Sequence, residues 1–140
     1  MSPLSDPSRT QSRPLRCFLV EDSQLIRQNL ISTLEEMLGV EVSGWAEDEA
    51  SAMRWLRNTG AGCDIAVIDI FLKSGSGLEV LRQTRPLLPH TKLVVLTNFA
   101  TADMRRRCLE LGADQVFDKS AELEELLAYF DDLASTARPS

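Results

Sequence analysis

The sequence predicts an α/β protein built on a doubly wound, five-stranded parallel sheet with five helices on its two faces. Three observations carry this expectation. Short apolar runs recur five times along the chain. Longer stretches between them place apolar residues three and four apart, the helical period. Glycine, proline and small polar residues mark the joints. Strands separated by helical crossovers run parallel, and the helices then cover both sheet faces.

The elements follow in order. Cys17-Phe-Leu-Val20 is a buried-type run and forms the first strand. Ile26, Leu30, Leu34, Met37 and Leu38 make one apolar stripe on a helix, which Gly39 ends. Glu41–Ala46 is a short strand, and Ala50, Met53 and Leu56 mark a helix that stops before Asn58-Thr-Gly60. Asp64-Ile-Ala-Val-Ile-Asp69 is apolar on both faces, as a central parallel strand must be. Ser74-Gly-Ser-Gly77 leads into a helix through Leu78 and Leu81 that ends near Pro86. Lys92–Thr97 is the fourth strand, a helix over Thr101–Leu111 ends at Gly112, and Gln115–Lys119 is the fifth strand. The last helix carries Leu123, Leu126, Leu127, Phe130 and Leu133 on one face.

The 140 residues suit one compact domain. We assign 1–14 to a flexible tail rich in proline, 15–134 to the domain and 135–140 to a flexible end. A net charge of −6 opposes a nucleic-acid surface, so Arg105-Arg-Arg107 reads as the solvated face of a helix. No run reaches the roughly 18–20 apolar residues of a membrane span, and the N-terminus has no secretory pattern. Cys17, Cys63 and Cys108 form no CxxC pair and read as reduced thiols of a cytoplasmic protein.

An open doubly wound sheet binds its ligand beyond the carboxyl ends of its strands. Glu21 and Asp22 follow the first strand, Asp69 ends the third, Thr97 the fourth and Lys119 the fifth. Carboxylates gathered there repel one another unless a cation neutralises them. An all-oxygen donor set suits a hard ion such as Mg²⁺. Such an ion makes an aspartate a workable phosphoryl acceptor, with Lys119 and Thr97 as donors to phosphoryl oxygens.

Four motifs, Leu19-Val-Glu-Asp22, Val67-Ile-Asp69 followed by Gly75-Ser-Gly77, Val94-Val-Leu-Thr97 and Leu111-Gly-Ala-Asp-Gln-Val-Phe-Asp-Lys119, together resemble the receiver domain of two-component response regulators. The resemblance covers Leu15–Ala134. It implies strand order 2-1-3-4-5, the flavodoxin-like arrangement. It also implies that Asp69 accepts phosphate, that Glu21, Asp22, Asp69 and the Phe71 carbonyl hold Mg²⁺, and that Thr97 and Lys119 act on the phosphoryl group. The donor would be a sensor histidine kinase or histidine phosphotransfer protein docking on Ser23, Gln24, Ile26, Arg27 and Ser120. With no sequence left for a DNA-binding or catalytic output domain, output is expected to be protein–protein: relaying phosphate onward, acting as a phosphate sink, or binding a downstream protein target when phosphorylated, with a homodimer left open.

The chain departs from the family pattern in places. Glu21 stands where Asp is commoner. Val116 replaces the usual switch aromatic, and strand alternation turns Phe117 to the opposite face. Ser120 replaces a proline, and Asn98 follows Thr97 where small residues are common. Phe71 and Phe99 flank the acceptor and are expected to hinder hydrolytic water. Two rival readings are an aspartate-nucleophile phosphohydrolase and an unphosphorylated pseudo-receiver module. The first needs a second aspartate two residues after the nucleophile, where Phe71 stands. The full set of Glu21, Asp22, Asp69 and Lys119 speaks against the second.

Overall fold

Parallel pairing links five strands in the order β2-β1-β3-β4-β5. They are β1 (Arg16–Val20), β2 (Glu41–Ala46), β3 (Ile65–Ile68), β4 (Lys92–Thr97) and β5 (Gln115–Asp118). The helices between and after them are α1 (Gln24–Leu38), α2 (Glu49–Thr59), α3 (Gly77–Leu87), α4 (Ala102–Glu110) and α5 (Leu123–Ala137). A 3₁₀ turn at Gly60–Gly62 joins α2 to β3. This is a computed structural model that describes residues 13–137. Most of the tail assigned to 1–14 lies outside the described residues; Arg13 is paired with Asp64 at 3.2 Å.

Side-chain alternation divides the core in two. Phe18 and Val20 of β1 join Ala66, Ile68, Leu93 and Val95 on the face covered by α2, α3 and α4. Cys17 and Leu19 join Ile65, Val67, Val94 and Leu96 on the face covered by α1 and α5. β3 is buried along its whole length, so both layers meet on it. Phe18 stacks on Trp55 of α2 with ring centroids 4.1 Å apart, a contact worth about 0.5–1.5 kcal/mol beyond burial.

The boundaries differ from the sequence reading in a few places. Met37 leaves the expected α1 stripe and is 72% exposed, while its neighbour Leu38 in the same last turn stays packed against the core. Pro86 sits inside the final turn of α3, which runs to Leu87. There its missing N–H costs one bond without breaking the helix. α5 continues to Ala137, past the boundary set at 134. The three cysteines are free and buried, and burial pushes the Cys63 thiol up to about 12. Among the described residues no helix is long and apolar enough to cross a membrane.

Candidate functional site

The strand ends place the site. Backbone bonds carry the ladder one residue past β1, β3 and β5. Glu21 N–H donates to the Ala46 carbonyl at 2.9 Å, Asp69 N–H to Val20 at 2.9 Å and Lys119 N–H to Thr97 at 2.8 Å. These side chains therefore leave one edge of a rigid sheet. A single oxygen from each of Glu21, Asp22 and Asp69 lies within 4.8 Å of the others.

Lys119 binds two of the three acids. Its ammonium donates to Glu21 Oε1 at 2.8 Å and to Asp69 Oδ2 at 3.1 Å. Burial pushes the Asp69 carboxyl above its ordinary range, while Lys119 and the N–H groups of Ile70 and Phe71 pull back. Burial likewise raises Glu21 against the opposing pull of Lys119 and the Ser23 N–H. For Lys119, burial disfavours the charge, but the two carboxylates outweigh it and raise its pKa. Three acids against one ammonium leave the cluster short of positive charge. Oxygen-only donors at this spacing fit a hard divalent cation such as Mg²⁺.

Ser23 caps α1 by accepting from Ile26 N–H at 3.3 Å. Asp22 is thus relieved of capping and keeps its carboxylate for the cluster. Thr97 is fully buried, and its hydroxyl oxygen accepts from Phe99 N–H at 3.2 Å. The Phe71 and Phe99 rings meet edge to face at 4.7 Å, both more than half exposed. Gly77 opens α3 directly beneath Asp69. A Cβ there would collide with the Asp69 carbonyl and lie 2.8 Å from Ile70 Cα, so α3 can start this close only on glycine.

Two arginines need correction. Arg27, expected on the docking surface, is 6% exposed. Its guanidinium donates to the Glu21 carbonyl at 2.8 Å and lies 3.8 Å from the Trp45 ring centre, so it braces the acidic loop from inside. Arg105 does not belong to the solvated run. Successive helix residues point about 100° apart, so Arg106 and Arg107 stay exposed while Arg105 turns inward. Of the other docking candidates, Gln24 is exposed. Ile26 and Ser120 line a mainly apolar groove of about 340 Å³ with Leu30, Leu96 and Leu123, and Lys119 also lines it.

The corner after Lys119 was not legible as a unit. Asp118 Oδ1 accepts from Ser120 N–H at 2.8 Å, Ser120 Oγ at 2.7 Å and Ala121 N–H at 3.0 Å. Asp118 N–H in turn donates to Glu122 Oε1 at 2.8 Å. An acid two residues before a serine is the only signal of this in the sequence, and it is common to many turns. Val116 faces the α2–α4 side of the core, whereas Phe117 packs on the other side near Tyr129 at 6.0 Å.

Residues 17–131 match a family model described as the response regulator receiver domain. The chain is 34% identical over 112 residues to a protein-glutamate methylesterase/protein-glutamine glutaminase of Anaeromyxobacter dehalogenans, covering 79% of this chain and 30% of that protein. It is 33% identical over 112 residues to a putative transcriptional regulator of Pseudomonas aeruginosa, covering 80% of this chain and 53% of that one. The chain therefore spans roughly half or less of these curated relatives. Among solved structures, a LuxR-family two-component response regulator from an Aurantimonas species superposes with a TM-score of 0.78 at 25% identity, covering 90% and 89% of the two chains.

Proposed function

The chain belongs to the response regulator receiver family, matched over residues 17–131, and from that premise we propose that it is a switch controlled by phosphorylation of Asp69. The observation that carries the reading is the Asp69 carboxylate at the end of β3, held at 3.1 Å by Lys119 inside an oxygen-only acidic cluster. The donor is a histidine kinase or a histidine phosphotransfer protein. An Asp69 oxygen attacks phosphorus, the bond to the donor's imidazole nitrogen breaks, and that nitrogen keeps the electron pair. Mg²⁺ held by Glu21, Asp22, Asp69 and the Phe71 carbonyl would offset the negative charge gathered in transfer.

The remaining work falls to the chain's own groups. Lys119 holds the Asp69 carboxylate in place and can turn a proton of its ammonium to a phosphoryl oxygen. Thr97 can donate its hydroxyl to a second oxygen once it turns from Phe99 N–H. The groove bounded by Ile26, Ser120 and Leu123 lies beside Lys119 and is where we place the donor protein; Ser23 and Gln24 lie at the start of the same helix. Signal output is then a protein–protein event controlled by the state of Asp69.

The test is direct. Acetyl phosphate or beryllofluoride with Mg²⁺ is added to wild type and to Asp69→Asn, and intact mass and amide spectra are recorded. One phosphoryl group per chain, absent in Asp69→Asn, is the expected result. Continuous turnover of general phosphate esters would point to a hydrolase, and no metal-dependent response would point to an inert module.

A further inference from the structure

One guanidinium joins the two segments that carry Thr97 and Lys119. Arg105 Nε donates to the Ala100 carbonyl at 3.0 Å, Nη1 to the Val116 carbonyl at 3.0 Å and Nη2 to Glu122 Oε1 at 2.7 Å. Ala100 lies in the loop after Thr97, next to Phe99, whose N–H is held by the Thr97 hydroxyl. Glu122 closes the corner after Lys119, because its carboxylate also accepts from Asp118 N–H and its own N–H donates to the Asp118 carbonyl at 2.8 Å. The third acceptor belongs to Val116, the position that here has no ring to move.

We propose that Arg105 is the positioning residue through which a change at Thr97 reaches the start of α5. The inference rests on the reading of Asp69 as phosphoacceptor and deepens it by naming the outward route. When Thr97 turns toward a phosphoryl oxygen it releases Phe99 N–H, and the loop through Ala100 loses one tether. The Ala100 carbonyl then moves relative to a planar, five-donor fork that cannot follow one acceptor without leaving the others. The Glu122 carboxylate reorients with it, and Asp118 N–H loses or changes its partner. In this scheme a polar clamp on the backbone does what a rotating buried ring would otherwise do. The Arg105–Glu122 pair is only partly exposed, at 36% and 30%. The guanidinium also draws the Glu122 carboxyl below its ordinary range.

The experiment follows amide resonances of wild type, Arg105→Lys, Arg105→Gln and Glu122→Ala as beryllofluoride and Mg²⁺ are added. In wild type the amides of Phe99 and Ala100 are expected to shift together with those of Asp118 and Glu122. Amide exchange at Asp118 should change about fivefold or more, the low end of ordinary allosteric coupling. In Arg105→Gln and Arg105→Lys, the Phe99 and Ala100 response is retained and the Asp118 and Glu122 response is lost. Lysine keeps the charge but reaches one acceptor only. Glu122→Ala removes the oxygen that accepts from both Arg105 and Asp118 N–H, so it cuts the same link from the other end and gives the same loss should an Arg105 variant fail to fold. A folded Arg105 or Glu122 variant that keeps the coupled response overturns the proposal. A wild type with no response even at Ile70 and Phe71 overturns the phosphoacceptor reading and this inference with it, a different pattern from loss confined to Asp118 and Glu122.

Discussion

Lys119 holds two buried carboxylates with one ammonium, and neither acid is fully compensated. Burial raises the Asp69 carboxyl, so its ionised form weakens the fold. A carboxyl raised on folding contributes stability that is fully present below the unfolded value near 3.8 and is lost as pH rises through the folded value. Asp69→Asn should therefore raise the urea midpoint at pH 7 without metal, and the gain should disappear below the ordinary carboxylate range. An equal gain at every pH would refute the assignment of burial as the cause. Asp22 and Trp45 line the same cleft, which makes Trp45 fluorescence a reporter of metal at the cluster. Asp22→Ala is expected to weaken Mg²⁺ binding about tenfold or more in that titration. Phe replacing Trp45 should remove the signal and leave binding, measured calorimetrically, unchanged.

Each site residue is only as well placed as the element beneath it. α3 begins where Gly77 touches the Asp69 carbonyl, and the close atoms are backbone, which cannot swing aside. Gly77→Ala should cost about 1–3 kcal/mol by overpacking. It should also slow phosphorylation of Asp69 under native conditions, since the loop carrying Phe71 must shift. Denaturant midpoints and intact-mass kinetics measure the two effects, and unchanged stability would rule out the contact. The Phe71–Phe99 pair joins the β3–α3 loop to the β4–α4 loop. Replacing both rings with serine should shorten the half-life of phosphorylated Asp69, followed by mass spectrometry. A half-life that does not shorten removes the shielding role.

The whole molecule is a sheet shared between two apolar layers, and the acidic edge inherits its rigidity from both. Phe130 is fully buried in the layer under α1 and α5, while Met37 at the end of α1 is 72% exposed. Phe130→Ala should cost about 3–5 kcal/mol, a large share of the roughly 5–15 kcal/mol that holds a domain together. Met37→Ala should stay within about 0.5 kcal/mol. Chemical denaturation of the two variants checks both values. The two layers also explain why Phe117 cannot stand in for a ring at position 116. β5 sends neighbouring side chains into different layers, and Phe117 is committed to the one that contains Tyr129.

The acidic edge was legible in the amino-acid order alone. Strand and helix periods are local properties, and parallel strands leave no choice about which ends share an edge. The residue order therefore gathers Glu21, Asp22, Asp69, Thr97 and Lys119 at one edge, and it sets the alternation at Val116 and Phe117 as well. Only the tertiary structure decided the partners of long flexible side chains. Arg27 reads as an exposed helix residue until the path of the β1–α1 loop sets the Glu21 carbonyl and Trp45 around it. Arg105 reads as one of three surface arginines until the rotation of α4 brings it to Ala100, Val116 and Glu122. Such contacts depend on how helices turn and loops run once packed, and those are settled by the fit of the whole core rather than by any local period.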